Sequence, residues 1–223
     1  MRYKMILAVC AVALFAGLTA CGAEHAPVLS LLQRTPAVSG LEEIPEMTAD
    51  AEIRVIDGDM LYAPTTLKEE DELSDYIVKG RLTDGAKQIL ERYEPGTVNF
   101  GVTVSSFKIS WVYKGNLNKG DIIPIAERYY TVEEKGKIVR YELGYAPSLP
   151  DKEYIFFLSK AKDDNAFLRG TYTPSVKETA RYPVVDPSHF DVDSMTAKEL
   201  NLVVRDVEDY RAIYKEVIRK YMR

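Results

Sequence analysis

The stretch Val102–Ile125 constrains the fold most, because two apolar runs flank a connection marked by Gly115 and Gly120. Alternate residues of the first run are large and apolar: Phe107, Ile109, Trp111 and Tyr113. Successive side chains of a strand point to opposite faces, so this alternation predicts a long half-buried strand. The short glycine-marked connection predicts a hairpin with the second run. We expect Trp111 to pack in the core beside Phe107.

Further apolar runs predict a mainly β (α+β) protein. An Asp57-Gly58 pair between two such runs predicts a small hairpin over residues 53–62. The run Glu153–Leu158 is continuously apolar after its first residue and predicts the most buried strand. The remaining candidates are short: 76–83, 129–132, 138–143, 167–173 and 182–185.

Two capping boxes predict helices. Thr66 followed by Glu69 predicts a short helix that ends near Ser74, and Thr196 followed by Glu199 predicts the start of a C-terminal helix over 196–222. Apolar residues then recur at spacings of three and four: Val203, Val207, Tyr210, Tyr214, Val217 and Tyr221. This stripe is wider than a coiled-coil seam, so it favours docking onto the domain over dimerisation.

The N-terminus carries an export signal. Arg2 and Lys4 precede the apolar run Met5–Leu18, which is too short to span a membrane comfortably. The run ends in Leu-Thr-Ala-Cys-Gly, with the cysteine at Cys21. This ending resembles the lipobox of bacterial lipoproteins, which implies cleavage before Cys21 and acylation of its thiol. Two acyl chains anchor a protein stably where one is marginal. An ordinary secretory signal with an incidental cysteine is the alternative.

The domain organisation follows from that signal. We expect a signal peptide over 1–20, a tether over 21–50 with three prolines, and one domain over 51–223. Cys10 lies inside the signal, so the exported chain has no disulfide and no cysteine metal site. The whole chain has a net charge of −5, and loss of Arg2 and Lys4 makes it more acidic. This balance argues against nucleic-acid binding, and lipid rather than charge must hold the chain at the membrane.

Three fragments in order carry a resemblance: 75–80, then 112–115 followed by 120–123, then 152–158. They read DYIVKG, VYKG with GDII, and KEYIFFL. Together they resemble uncharacterised exported proteins of Gram-positive bacteria and, distantly, the netrin/tissue-inhibitor-of-metalloproteinase module. Both resemblances imply a small Greek-key OB-like barrel over about 75–173. The inhibitor family reaches its protease through an N-terminal disulfide-bonded cysteine, whereas Cys21 has no partner, so protease inhibition does not carry over.

Residues that could perform catalysis are few. His25 lies in the tether, and the remaining histidine lies in the segment DPSHFDVD. Its acidic and imidazole groups could hold a divalent metal: Asp186, His189, Asp191 and Asp193. The alternative is a turn whose side chains cap the next helix and stay solvated, which we favour. No cofactor motif is present in the sequence.

The fifteen tyrosines are the other unusual feature. Five lie in or near the central sheet and form a candidate ligand-binding surface: Tyr113, Tyr129, Tyr130, Tyr141 and Tyr145. OB-like barrels use such faces for oligosaccharides or peptides, although tyrosine also simply favours strands. We therefore expect a non-enzymatic, lipid-anchored module on the extracytoplasmic side of the cell membrane, with an envelope protein or a glycan as partner. An envelope enzyme or metal-dependent site around Asp186 is the competing hypothesis.

Overall fold

A computed structural model describes residues 38–56, 63–94, 96–203 and 207–222. The strands are β1 (Leu41–Glu42), β2 (Glu52–Val55), β3 (Tyr76–Leu82), β4 (Lys87–Glu94), β5 (Thr97–Lys114), β6 (Ile122–Glu127), β7 (Tyr129–Glu134), β8 (Lys137–Glu142), β9 (Glu153–Lys160), β10 (Tyr172–Pro174) and β11 (Arg181–Pro183). The α-helices are α1 (Leu67–Leu73) and α2 (Glu208–Tyr221), and short 3-10 helices cover Lys177–Ala180 and Val192–Ser194.

Five strands close into a barrel. β3 pairs with β5 and β9, β6 pairs with β5 and β10, and β10 also pairs with β9. The β6–β10 pair is parallel and the other four are antiparallel. Around the barrel the strands follow the order β3, β5, β6, β10, β9. Numbered by their position in the sequence, these are the first, second, third, fifth and fourth barrel strands, which is a Greek-key arrangement of the OB type. The predicted mainly β fold with a small barrel is confirmed.

Other strands extend this framework. β4 pairs with the first half of β5, and β11 pairs with β9. β7 and β8 form the predicted second hairpin, and β2 pairs in parallel with β8. β2 was expected to pair within a hairpin over 53–62, but residues 57–62 of that hairpin lie outside the described residues. β1 pairs with β4, so the described end of the predicted tether contributes a strand to the domain, which therefore begins before residue 51.

The barrel wall between β3 and β9 is apolar on both faces, so one core cluster lies inside the barrel and another outside it, and a third, smaller cluster lies between β4, β5 and β6. Val78 and Phe156 point into the barrel, whereas their neighbours Ile77 and Phe157 point outward, and all four are buried. Successive strand side chains must alternate in this way. β9 is buried along Tyr154–Leu158, as its continuous apolar run predicted.

The C-terminal helix covers the outer cluster. Its buried residues form the predicted stripe: Tyr210, Ile213, Tyr214, Val217 and Tyr221. They pack against Ile77 and Phe157 of the barrel wall and against Tyr182 of β11. The prediction of a long amphipathic helix packed on the barrel is confirmed, and burial of the stripe supplies a large apolar contribution to stability.

The start of that helix was predicted wrongly. Thr196 and Glu199 do form a capping box, since the Glu199 N–H donates to Thr196 Oγ1 and the Thr196 N–H donates to Glu199 Oε2. The turn that follows ends at Asn201, whose φ of +56° is left-handed. A left-handed residue terminates a helix, so the box caps one turn and α2 begins at Glu208. The Thr66–Glu69 box, by contrast, caps α1 as expected.

Candidate functional site

An open groove of about 320 Å³ lies where the end of α2 meets the outer face of the barrel. β3 and β5 form one side of the groove, and the last residues of α2 form the other. The groove is lined by Lys79, Trp111, Tyr113, Val184, Lys220, Tyr221 and Met222. It is the natural candidate for a ligand site because it combines aromatic surface with two cationic side chains.

Trp111 lies on the rim of this groove with 54% of its surface exposed, not in the core as predicted. The cause is a β-bulge. Ile109 pairs with Gly80, but Trp111 pairs with Lys79, so β5 has one extra residue, Ser110, at this point. An extra residue reverses the inward and outward alternation beyond it. Trp111 therefore points outward, and Val112 packs against the barrel interior.

Gly80 makes the bulge possible. A Cβ on Gly80 would lie 2.1 Å from the Lys108 carbonyl oxygen and 2.8 Å from the Phe107 ring. Only glycine allows the two backbones to approach so closely. The Ser110 hydroxyl then donates a hydrogen bond to the Lys79 carbonyl and approaches Glu153 Oε1 within 2.7 Å, which ties the bulge to β3 and, beyond it, to β9.

Three aromatic rings form a row along the groove. The centroids of Trp111 and Tyr113 are 6.5 Å apart, and those of Tyr113 and Tyr221 are 4.6 Å apart. The Tyr113 hydroxyl donates to the Tyr221 carbonyl at 2.7 Å, so the end of α2 is fixed to β5. Burial raises the pKa of Tyr113, which keeps this hydroxyl a donor at neutral pH. The row offers a rigid apolar platform with one end open to solvent.

The charge at the groove is positive. Lys220 lies 4.9 Å from the centre of the Tyr221 ring and 3.3 Å from Asp71 Oδ2. Asp71 also accepts from Lys114 at 2.8 Å, so two lysines share this carboxylate. Burial opposes ionisation of Asp71, but the two lysines outweigh it and hold its pKa below the usual range. Lys79 adds a further positive charge to the lining.

The five predicted tyrosines do not form one surface. Only Tyr113 lines the groove. Tyr145 is fully buried and Tyr130 is nearly so, and burial raises the pKa of Tyr130 to about 12. Tyr141 stacks on Tyr130 with ring centroids 5.0 Å apart, and its hydroxyl bonds Glu134. Tyr129 is half-buried on β7. Four of the five therefore lie outside the groove lining: Tyr129, Tyr130 and Tyr141 on the β7–β8 hairpin, and Tyr145 beside Glu127.

The predicted metal candidates separate into two pairs. His189 Nδ1 lies 3.2 Å from Asp186 Oδ2, and both side chains are largely exposed. Asp191 accepts the backbone N–H of Asp193 and caps a 3-10 helix, while Asp193 pairs with Lys215 at 2.5 Å. Within the described residues, no group of three or more metal-ligating side chains converges. The segment behaves as a turn with capping side chains.

Sequence reasoning missed a buried ion pair between Glu127 and Arg181, which are 3.7 Å apart and almost inaccessible to solvent. Glu127 Oε1 accepts hydrogen bonds from the Tyr145 and Ser148 hydroxyls. Burial raises the pKa of Glu127, and the Arg181 charge and these hydrogen bonds oppose that effect. Arg181 also donates to the backbone carbonyls of Ala146 and Asn201, which joins β11 to two loops beside the barrel. Nothing in the local sequence marks either residue as buried.

A second buried carboxyl was also missed. Glu70 on α1 is inaccessible, and its Oε2 accepts the Tyr182 hydroxyl at 2.5 Å. Its other oxygen has no hydrogen-bond partner among the described residues. Burial raises the pKa of Glu70 to about 8. Glu70 is therefore mostly protonated at neutral pH, and it links α1 to the aromatic layer under α2.

Cys21, the predicted lipidation site, lies outside the described residues. Of the helices that the structure describes, neither is long and apolar enough to cross a membrane. No protein-family model matches the sequence, and no curated protein is significantly similar to it.

Proposed function

We propose that this chain is a lipid-anchored, extracytoplasmic binding module that holds a carbohydrate ligand at the groove beside Trp111. The observation that carries the proposal is the exposed Trp111 ring at one end of an ordered aromatic row. An exposed indole offers an apolar surface that a ligand can cover, and flat aromatic rings are suited to stack on the apolar faces of sugars.

The architecture supports the same proposal. In OB-type barrels, oligosaccharides bind on the outer face of the second and third barrel strands and on nearby loops. Trp111 and Tyr113 belong to β5, which is the second barrel strand here, and the groove lies where β5 pairs with β3, the first barrel strand, rather than with β6. The groove walls are also fixed, since Tyr113 bonds the end of α2 and Ser110 anchors the bulge. A preorganised site loses little entropy when the ligand binds.

The anchor rests on the lipobox at Leu18–Cys21. Replacement of the acceptor thiol, Cys21→Ser, is expected to release the chain from the membrane fraction or to leave its signal uncleaved. Normal processing together with unchanged membrane retention would contradict the lipid anchor. This result would leave the groove proposal untouched, because the two rest on separate parts of the chain.

The groove is tested with the full chain in detergent micelles on an array of oligosaccharides. We expect a subset of glycans to bind, and Trp111→Ala to reduce their binding at least tenfold because the stacking platform is gone. Tyr93→Ala is the matched control, since Tyr93 is an exposed aromatic residue of β4 outside the groove lining. Absence of glycan binding, or equal loss in both variants, would overturn the proposal.

A further inference from the structure

Three basic side chains cluster on the outer face of the barrel, one in the groove lining and two beside it. Arg81 on β3 lies directly opposite Lys108 on β5, and Lys79 lies directly opposite Trp111. Lys79 and Arg81 are two residues apart on one strand, so they share a face. Lys108 is exposed between Phe107 and Ile109, which both point into the barrel, and so it lies on the same outer face. These three residues are called the basic block below.

The three side chains of the basic block form no salt bridge with the residues that the structure describes, although Glu153 lies directly opposite Arg81. The salt bridges found there join other residues. The carboxylate opposite Arg81 on β9 is Glu153, and its Oε1 lies 2.7 Å from the Ser110 hydroxyl. Like charges that face each other across a strand pair destabilise a sheet, and the chain is acidic overall. An unpaired basic block at this position therefore points to an anionic partner.

We infer that the ligand of the groove is an acidic oligosaccharide, an inference that rests on the proposed function. A sugar ring stacks on Trp111, and a carboxylate, sulfate or phosphate substituent of the same chain binds the basic block. The planar guanidinium of Arg81 suits two-point recognition of such groups. Along β3, Arg81 lies about 7 Å beyond the Lys79–Trp111 pair, a spacing that adjacent parts of one oligosaccharide can bridge.

The aromatic row favours a glycan over other anions as the ligand of the groove. An anion recognised by charge alone needs no ring platform, whereas Trp111 is continuous with the basic block through its strand partner Lys79. The positive charges contributed by Lys114 and Lys220 around Asp71 extend the same electrostatic field to the other end of the groove. The ligand is therefore expected to be held by stacking and by charge together.

The experiment uses the full chain in detergent micelles and pairs of oligosaccharides with one backbone, each pair having an acidic and a neutral member. Trp111 is the sole tryptophan of the chain, so its fluorescence reports binding at the groove. We expect the acidic member to bind at least tenfold more tightly at low salt, and added salt to reduce the difference. Arg81→Gln with Lys108→Gln should abolish the preference without loss of thermal stability, because both side chains are exposed. Lys135→Gln with Lys137→Gln, two exposed lysines at the β7–β8 turn, is the charge-matched control.

Each alternative outcome is distinct. If the acidic and neutral members bind equally and Trp111→Ala still weakens the binding of both, the inference of an acidic ligand would be overturned. The carbohydrate proposal would remain. No binding of either member would overturn both. Binding of polyacrylate as tight as that of the acidic glycan, at equal charge, would show recognition of charge without sugar. Equally tight binding of glycerol phosphate would indicate a lipid headgroup instead. Either result would overturn the inference.

Discussion

Lys79 on β3 lies directly opposite Trp111 on β5, whereas the next residue of β3, Gly80, lies opposite Ile109. One extra residue on β5 separates these two neighbouring pairs, and it turns the only tryptophan of the chain from the barrel interior to the groove. The bulge at Ser110 therefore belongs to the barrel wall and also positions Trp111 at the candidate site. Bulges of this kind commonly re-aim a side chain at a functional position.

Gly80→Ala should destabilise the protein by about 3 kcal/mol, since its Cβ would clash with backbone and with the buried Phe107 ring. Gly85→Ala is the control, because nothing lies within 4 Å of the added Cβ there and only the φ of +89° is unfavourable, at about 1 kcal/mol. Urea unfolding measures both changes. Equal losses in the two variants would mean that β3 and β5 do not approach closely at Gly80.

Glu70 predicts a pH dependence. Its folded-state pKa of about 8 exceeds the ordinary value of 4.5, so the folded protein binds this proton more tightly than the unfolded chain. The stabilisation is complete below about pH 4.5 and declines towards pH 8, with a slope of about 1.4 kcal/mol per pH unit. Glu70→Gln should flatten this decline and stabilise the protein above pH 7. Glu72→Gln on the exposed side of α1 should change neither quantity. If the thermal stability of wild type and of Glu70→Gln changes with pH in the same way, the raised pKa of Glu70 would be contradicted.

The Glu127–Arg181 pair should be sensitive to loss of one partner. Arg181→Met leaves a buried carboxylate without its counter-charge, and we expect a loss of about 3–5 kcal/mol in unfolding free energy. Arg92→Met removes a comparable arginine from the exposed pair with Glu42, and it should cost less than about 1 kcal/mol. Denaturant titration compares the two variants. A small effect of Arg181→Met would show that Glu127 is neutral or solvated in the folded protein.

Docking of α2 has its own test. Tyr214 is fully buried against Tyr182, and Tyr214→Ala should cost about 3–5 kcal/mol through lost burial and a cavity. Arg219→Ala, on the exposed side of the same helix, should cost less than about 0.5 kcal/mol. If both variants unfold at the same temperature, α2 does not stabilise the barrel.

Much of the fold could be predicted from periodicity. The apolar runs located the strands of the barrel, the stripe from Val207 to Tyr221 located the docked helix, and the Thr66–Glu69 box located α1. These signals are local, and each is repeated over several residues. The Greek-key order came from a resemblance between ordered fragments, since periodicity alone does not determine which strands pair.

The site could be predicted only in part. Tyr113, one of the five predicted tyrosines, lines the candidate groove, but the bulge at Ser110 leaves the apolar alternation unchanged in the sequence while it reverses the direction of Trp111. Burial of Tyr145 depends on Glu127, a partner eighteen residues away. Asn201 ended the helical turn through its backbone conformation, which the capping box does not determine. Each miss arises from a contact between distant residues or from one unusual backbone position.

Acrylamide quenching of Trp111 fluorescence tests the central claim most directly, because the chain has no other tryptophan. The measurement compares the full chain alone with the full chain saturated by an acidic oligosaccharide selected on the array. We predict strong quenching in the free protein and at least a twofold lower quenching constant in the complex, as the sugar covers the ring. An indole that is shielded already in the free protein, or equally exposed with and without the ligand, would contradict the binding role of Trp111.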